Sequence, residues 1–214
     1  AEAADFDRDG DLDVAVAAFW DFRIYENLGD AKFKQHEDIV PANLNPIMGG
    51  GDASGTTFIE INGQYALVVG RYRAWDNNST VKPISLLTQK NGQFVEAYTI
   101  ERPNLGFGRE RNFGVSDMFN MDMNGDGRED LIITWETEPK GGINDGLSNL
   151  SDIPQNQRYK DFTNTIISIY FQDADGKIVA NNKVYNSGDN TAGAPLFFED
   201  FNLDGYVDFW TSGF

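Results

Sequence analysis

An all-β fold built from repeated four-stranded antiparallel units is the architecture this 214-residue sequence predicts, and three observations carry the prediction. An acidic nine-residue loop occurs three times with the same internal spacing. An apolar run rich in β-branched and aromatic residues follows each copy, and a fourth, degenerate copy lies between the first two. Gly10, Gly63, Gly127 and Gly205 mark the sixth position of the four copies at intervals of 53, 64 and 78 residues, a spacing of the kind repeat architectures show.

The units divide at approximately 1–50, 51–110, 111–190 and 191–214, the last being incomplete. In the first, strand one leads into the Asp5–Asp13 loop. Val14–Phe19 reads as strand two, Phe22–Glu26 as strand three, Asn27–Asp30 as a turn, and strand four starts at Phe33. The second unit has its degenerate loop at Phe58–Ala66, then Leu67–Val69, Ile84–Thr88, a turn at Lys90–Gly92, and Phe94–Ile100. The third runs Phe113–Met121, loop, Asp130–Trp135, Thr165–Phe171, a tight turn at Asp173–Gly176, and Ile178–Tyr185. The fourth offers the Asp200–Asp208 loop and Phe209–Trp210. Val, Ile, Phe, Tyr and Trp bounded by Asn, Asp and Gly are strand composition between turns. Four antiparallel strands per unit make a propeller blade, so the chain reads as about three and a half blades of a β-propeller.

The loops have the spacing of a calcium site. Ca²⁺ takes six to eight oxygens, so a loop must curl round it and aim alternate side chains inward, with Gly at position 6 for the sharp turn. Positions 1, 3, 5 and 9 are Asp5, Asp7, Asp9 and Asp13 in the first loop. They are Asp122, Asn124, Asp126 and Asp130 in the second, and Asp200, Asn202, Asp204 and Asp208 in the third. Asp11, Arg128 and Tyr206, at position 7, are expected to lend backbone carbonyls. An EF-hand would need Glu at position 12 between helices; here that position holds Val16, Ile133 or Thr211, and strand-like sequence follows. Counted from its Gly, the degenerate copy has Phe58 and Ala66 at positions 1 and 9 and is expected to hold no metal.

Composition narrows the function classes. Asp and Glu number 34 against 17 Lys and Arg, a formal charge of -17. Such an acidic chain is repelled by nucleic acid and anionic membrane surfaces, and no run reaches the length of a membrane helix. The absence of cysteine rules out disulfides and thiolate metal sites. Loops of this kind fill where calcium is abundant, which favours the exterior of the cell.

Phe113-Gly114, Gly193-Ala194-Pro195 and the segment from Asn27 to Phe33 carry a closer likeness. With the loops, they make the units resemble FG-GAP or VCBS-type repeats, the blades of integrin α-chain propellers and of secreted bacterial proteins. The resemblance implies a seven-bladed ring, so the chain is expected to continue into further blades or domains of a longer polypeptide. It identifies a scaffold and leaves the activity open. The segment from Glu136 to Asn164 reads as a long surface insert, a length that usually signals function or disorder.

Strand alternation places the calcium loops and the strand three to four turns on one face. The opposite face collects Trp20, Arg23, Arg71, Tyr72, Arg73, Trp75, Arg109 and Arg111. Arginines beside aromatic rings suit carboxylates and sugar rings, so a protein or glycan ligand is expected there. The same residues equally suit packing between blades and pairing with nearby Asp. Asp52, Ser54 and Thr56 have the lettering of a metal-dependent adhesion motif but run into a strand where that motif requires a helix. His36, the sole histidine, has no nucleophile motif near it and reads as a surface residue. The expected function is an extracellular, calcium-stabilised module for adhesion or surface recognition, without catalysis. Two alternatives are a lyase-like polysaccharide-active enzyme or lectin on the same scaffold, and a structural subunit of a surface assembly.

Overall fold

The computed structural model describes residues 1–18, 21–36, 53–71, 84–91, 93–101, 111–139, 164–186 and 196–211. These residues contain no helix, and hence none long and apolar enough to cross a membrane. Among the described residues, fourteen strands form four sheets. Sheet one comprises β1 (Glu2–Ala4), β2 (Asp13–Ala18), β3 (Asp21–Asn27) and β4 (Phe33–His36). Sheet two holds β5 (Ala53–Ile61), β6 (Gln64–Arg71), β7 (Ile84–Lys90) and β8 (Gln93–Ile100). Sheet three holds β9 (Arg111–Met121), β10 (Asp130–Pro139), β11 (Asn164–Gln172) and β12 (Ile178–Asn186). The fourth pairs β13 (Leu196–Glu199) with β14 (Asp208–Thr211).

Within each sheet, strands neighbour one another in chain order and every pairing is antiparallel. The expected strands are all present. β10 runs four residues past Trp135, to Pro139, because β9 begins early enough to pair with it down to Arg111.

Successive sheets pack face to face. Ala15, Phe22 and Ile24 of sheet one meet Leu67, Val69 and Phe94 of sheet two in one core. Ile59, Val68 and Leu86 of sheet two meet Val115, Leu131, Ile133 and Trp135 of sheet three in the next. Ile132, Ile167 and Ile169 meet Leu196, Phe198 and Phe209 in the third. The first strands converge along one side, β1 lying against β5 and β5 against β9.

Two positions show how close the sheets approach. A Cβ built on Gly70 would lie 2.5 Å from Val115 Cγ1, so sheets two and three touch backbone to side chain there. Gly70→Ala forces β6 away from Val115 at an overpacking cost of about 1–3 kcal/mol. Chemical denaturation checks this, and the added Val115→Ala change is expected to recover most of the loss. On the loop side, a Cβ on Gly176 would lie 2.7 Å from both Ile61 and Asn62, so the Asp173–Gly176 turn seats on the hairpin of sheet two. Strand one to two loops and strand three to four turns therefore share one face, as alternation requires.

Candidate metal centres

The three acidic loops join strand one to strand two of sheets one, three and four, and they fold alike. The Gly at position 6 donates its N–H to Oδ2 of the position 1 Asp: Gly10 to Asp5 at 3.1 Å, Gly127 to Asp122 at 2.8 Å, Gly205 to Asp200 at 2.8 Å. The position 5 N–H donates to the position 3 side chain, in Asp9 to Asp7, Asp126 to Asn124 and Asp204 to Asn202. Likewise the position 7 N–H donates to position 5, in Asp11 to Asp9, Arg128 to Asp126 and Tyr206 to Asp204. Position 6 has φ of 101°, 82° and 90° in the three loops, which explains why it is Gly in each. Position 4 is also left-handed, at Arg8, Gly125 and Leu203. These bonds to the side-chain oxygens at positions 1, 3 and 5 hold each loop in the same curled shape.

The Asp5 loop gathers its carboxylates most closely. Asp5, Asp7 and Asp13 each bring a carboxylate oxygen within 4.8 Å of the others. Ligands on a single Ca²⁺ are separated by at most about 5 Å, since each sits 2.3–2.6 Å from the ion. Asp5 Oδ1 is buried and has no hydrogen-bond partner. Its counterparts are satisfied: Asp122 Oδ1 accepts from Gly125 and Asp126, and Asp200 Oδ1 from Asp204. A buried carboxylate oxygen without a donor is costly, and a hard cation would supply what the backbone does not. The donor set here, all carboxylate and carbonyl oxygen, fits Ca²⁺.

The other loops carry Asn at position 3 and so less negative charge. In the Asp122 loop the Arg128 guanidinium pairs with the Asp126 carboxylate and also donates to the carbonyl of Gln172. Arg128 thus has a second role beside the expected carbonyl, partly neutralising its own loop.

Position 9 does more than its spacing suggests. Asp13 and Asp130 are fully buried, at 0% exposure. Asp13 Oδ2 accepts from Phe6 N–H at 3.1 Å and Oδ1 from Asn27 N–H at 2.8 Å. Asp130 accepts in the same way from Met123 at 2.9 Å and Gln172 at 3.0 Å. Each carboxylate thereby ties its loop to the end of strand three. Asn27 and Gln172 complete the tie by donating side-chain N–H to the carbonyls of Leu12 and Glu129. Gln172 also reaches back to Glu60 O of the preceding sheet, as Gln89 reaches Phe6 O.

Burial pushes the carboxyls of Asp7, Asp13 and Asp130 up from the ordinary value, against the pull of their backbone donors. At Asp122 burial also pushes upward, but four backbone N–H bonds outweigh it and the net shift is down. Replacing Asp130 with Ala leaves the buried Gln172 N–H without an acceptor, worth about 1–3 kcal/mol, and frees the half-buried Met123 N–H as well. Asp130→Ala is therefore expected to lower the melting temperature with calcium absent as well as present. A loss confined to calcium-containing buffer would contradict the tying role.

The degenerate copy has another shape. Ile59 pairs with Ala66 across six intervening residues, where Met121 pairs with Asp130 across eight. The hairpin is two residues shorter and closes on Asn62 and Gly63, both at positive φ, in the manner of a two-residue hairpin turn. Phe58 consequently lies within the strand, buried and stacked on Phe6 with ring centroids 6.2 Å apart. Counting from the Gly masks this deletion.

On the expected ligand face, Trp20, Tyr72, Arg73, Trp75 and Arg109 lie outside the described residues, as do Asp52 and most of the 136–164 insert. Arg111 opens β9. Arg23 is exposed and donates to Gln35 Oε1 at 3.2 Å. Arg71 is only 3% exposed and donates to Ser85 Oγ at 3.1 Å, Ser85 in turn donating to Glu96. Its register counterpart in sheet three is Trp135, whose Nε1 donates to Ser168 Oγ at 2.6 Å. Arg71 fills a core position in which its neighbour repeat uses an indole. Burial draws its pKa down to about 10, with Glu96 opposing, and leaves it charged at neutral pH. Thr56 Oγ1 donates to Val68 O within the sheet, at 3.0 Å. His36 is half-buried and pairs with Glu26, which this contact, more than Lys34, draws below the usual carboxylate value.

No family model matches this chain, and no curated protein matches it either.

Proposed function

We propose that the protein is a calcium-stabilised repeat module of the exterior of the cell, its sheets forming consecutive blades of a β-propeller. Ca²⁺ at the Asp5, Asp122 and Asp200 loops is structural: it fastens the strand one to two connection of each sheet and relieves repulsion among clustered carboxylates. The observation that carries the reading is the orphaned, buried Asp5 Oδ1 within a triad of convergent carboxylates. Recurrence of the same internal hydrogen bonds in two further loops supports extending it to all three. Face-to-face stacking with first strands converging supports the propeller arc.

Recognition falls to the face opposite the loops, where Arg23 is exposed. The partner class is a protein or glycan bearing carboxylates or sugar rings. Hydrogen exchange with and without calcium tests the structural role. Protection is expected to rise at 5–13, 122–130 and 200–208, with the shorter hairpin at 60–65 acting as an internal control. Equal protection in the two buffers would overturn the reading.

A further inference from the structure

Two seams between consecutive sheets end differently on the loop face. Between sheets two and three the protein fills the gap itself. Glu129 Oε2 accepts from Glu60 N–H at 2.7 Å, Gln172 Nε2 donates to Glu60 O at 3.0 Å, and Asn62 Nδ2 donates to Asp175 O at 3.4 Å. The Asp173–Gly176 turn presses on Ile61 and Asn62 as well. Between sheets one and two, among the described residues, the Gln89 amide alone repeats this pattern, donating to Phe6 O at 3.0 Å. Tyr65 stands where Glu129 does, one residue before the strand two position that pairs with the end of strand one, and offers no carboxylate to the loop beside it. The turn of sheet two is also one residue shorter, with 90–93 between Gln89 and Phe94 where 173–177 lie between Gln172 and Ile178.

A cleft of about 230 Å³ results, lined by Phe6, Asp7 and Arg8 of the first loop and by Gln64, Tyr65 and Asn91 of sheet two. Pockets for drug-sized ligands run to about 300–1,000 Å³, so this one has room for a single small ring. Phe6 and Tyr65 give it aromatic walls and the other residues a polar rim. Arg8, Gln64 and Asn91 are exposed, and among the described residues their side chains make no hydrogen bond or ion pair. Amide and phenol groups both donate and accept, whereas Arg8 only donates and Asp7 only accepts. The two charges cancel, so the rim favours a neutral ligand whose polar groups also do both. An anion would in addition meet the field of a chain carrying -17.

We propose that this cleft binds one ring of a neutral saccharide, its C–H face against the aromatic walls and its hydroxyls on Arg8, Gln64 and Asn91. The site lies on the loop face and is separate from recognition on the opposite face. It follows from the shape of the seam and is independent of the calcium reading.

An array of neutral and acidic glycans, probed with the labelled whole chain in calcium-containing buffer, tests it, followed by nuclear magnetic resonance titration of the isotope-labelled chain with the neutral glycan retained best. Neutral glycans are expected to be retained in preference to uronate- or sulfate-bearing ones, with saturable amide shifts centred on 6–8, 64–65 and 89–91. Arg8→Leu introduces the residue that the third loop carries at the same position, as Leu203, and Gln64→Ala removes an exposed amide, so both are expected to keep the wild-type melting temperature. Arg8→Leu is expected to weaken binding roughly tenfold and Gln64→Ala roughly fivefold. Retention of no neutral glycan overturns the proposal. So does binding undiminished in both variants, or amide shifts centred elsewhere, since either puts the ligand at another site. A preference for acidic glycans overturns it too, because the rim then acts as an anion site.

Discussion

Chelation of calcium is expected to lower the melting temperature by tens of degrees, reversibly and with little rescue by magnesium. At about a hundred times the dissociation constant, one bound ion stabilises the folded state by roughly 2.7 kcal/mol, so three independent sites contribute roughly 8 kcal/mol. For a chain of this size each kcal/mol moves the midpoint by about 2–4 °C, giving a fall of about 15–30 °C. The loops are expected to differ. The Asp5 loop presents only carboxylates and an orphaned oxygen, whereas the Asp122 loop has Asn124 and an Arg128 that occupies Asp126. Arg128→Gln is expected to tighten binding at that loop. Mg²⁺ holds its waters and demands near-octahedral geometry at shorter distances, so it substitutes poorly in a loop of this reach. Differential scanning calorimetry in EDTA, then with each ion restored, measures the whole prediction.

Trp135→Ala is expected to cost about 3–5 kcal/mol, the range for deleting a buried large aromatic side chain. Trp135 is fully buried between sheets two and three, among Val115, Met118, Ile133 and Tyr170. Its loss opens a cavity and leaves Ser168 Oγ without its indole donor. Trp135→Phe keeps most of the ring and gives up the hydrogen bond, so a smaller loss, about 1 kcal/mol or slightly more, is expected. Urea denaturation of both variants in saturating calcium separates the packing contribution from the polar one. Equal stability of the Ala variant and the wild type would show that this seam contributes little.

The strands and turns were legible because their signals are local. Runs such as Leu131–Trp135 and Ile84–Thr88 alternate between two buried faces, and Asp or Asn with Gly closes each hairpin. The common shape of the three acidic loops was legible for the same reason, since Gly at position 6 and Asp or Asn at positions 1, 3 and 5 recur at one spacing and form the same backbone bonds. What escaped depends on register, which composition does not encode. Asn27, Gln89 and Gln172 occupy the same place at the end of strand three, yet in sequence they are three unremarkable amides. The two-residue deletion in the Ile59–Ala66 hairpin hid behind Asn62-Gly63, whose Gly coincides with the Gly of the acidic loops. Arg71 reads as a surface ligand arm because buried guanidinium is rare; only its equivalence to Trp135, each donating to a Ser of strand three, reveals a core position. That equivalence was available from the repeat itself, since both residues stand at the fourteenth position counted from Phe58 and Asp122.

The central claim is that the acidic loops exist to hold calcium. Isothermal titration of the calcium-stripped chain tests it most directly. The account predicts three ions bound per chain, with one lost on replacing Asp5 by Ala and none lost on replacing Asn62 by Ala. Absence of a binding isotherm at millimolar calcium, in a chain that retains its β-sheet spectrum, would contradict it.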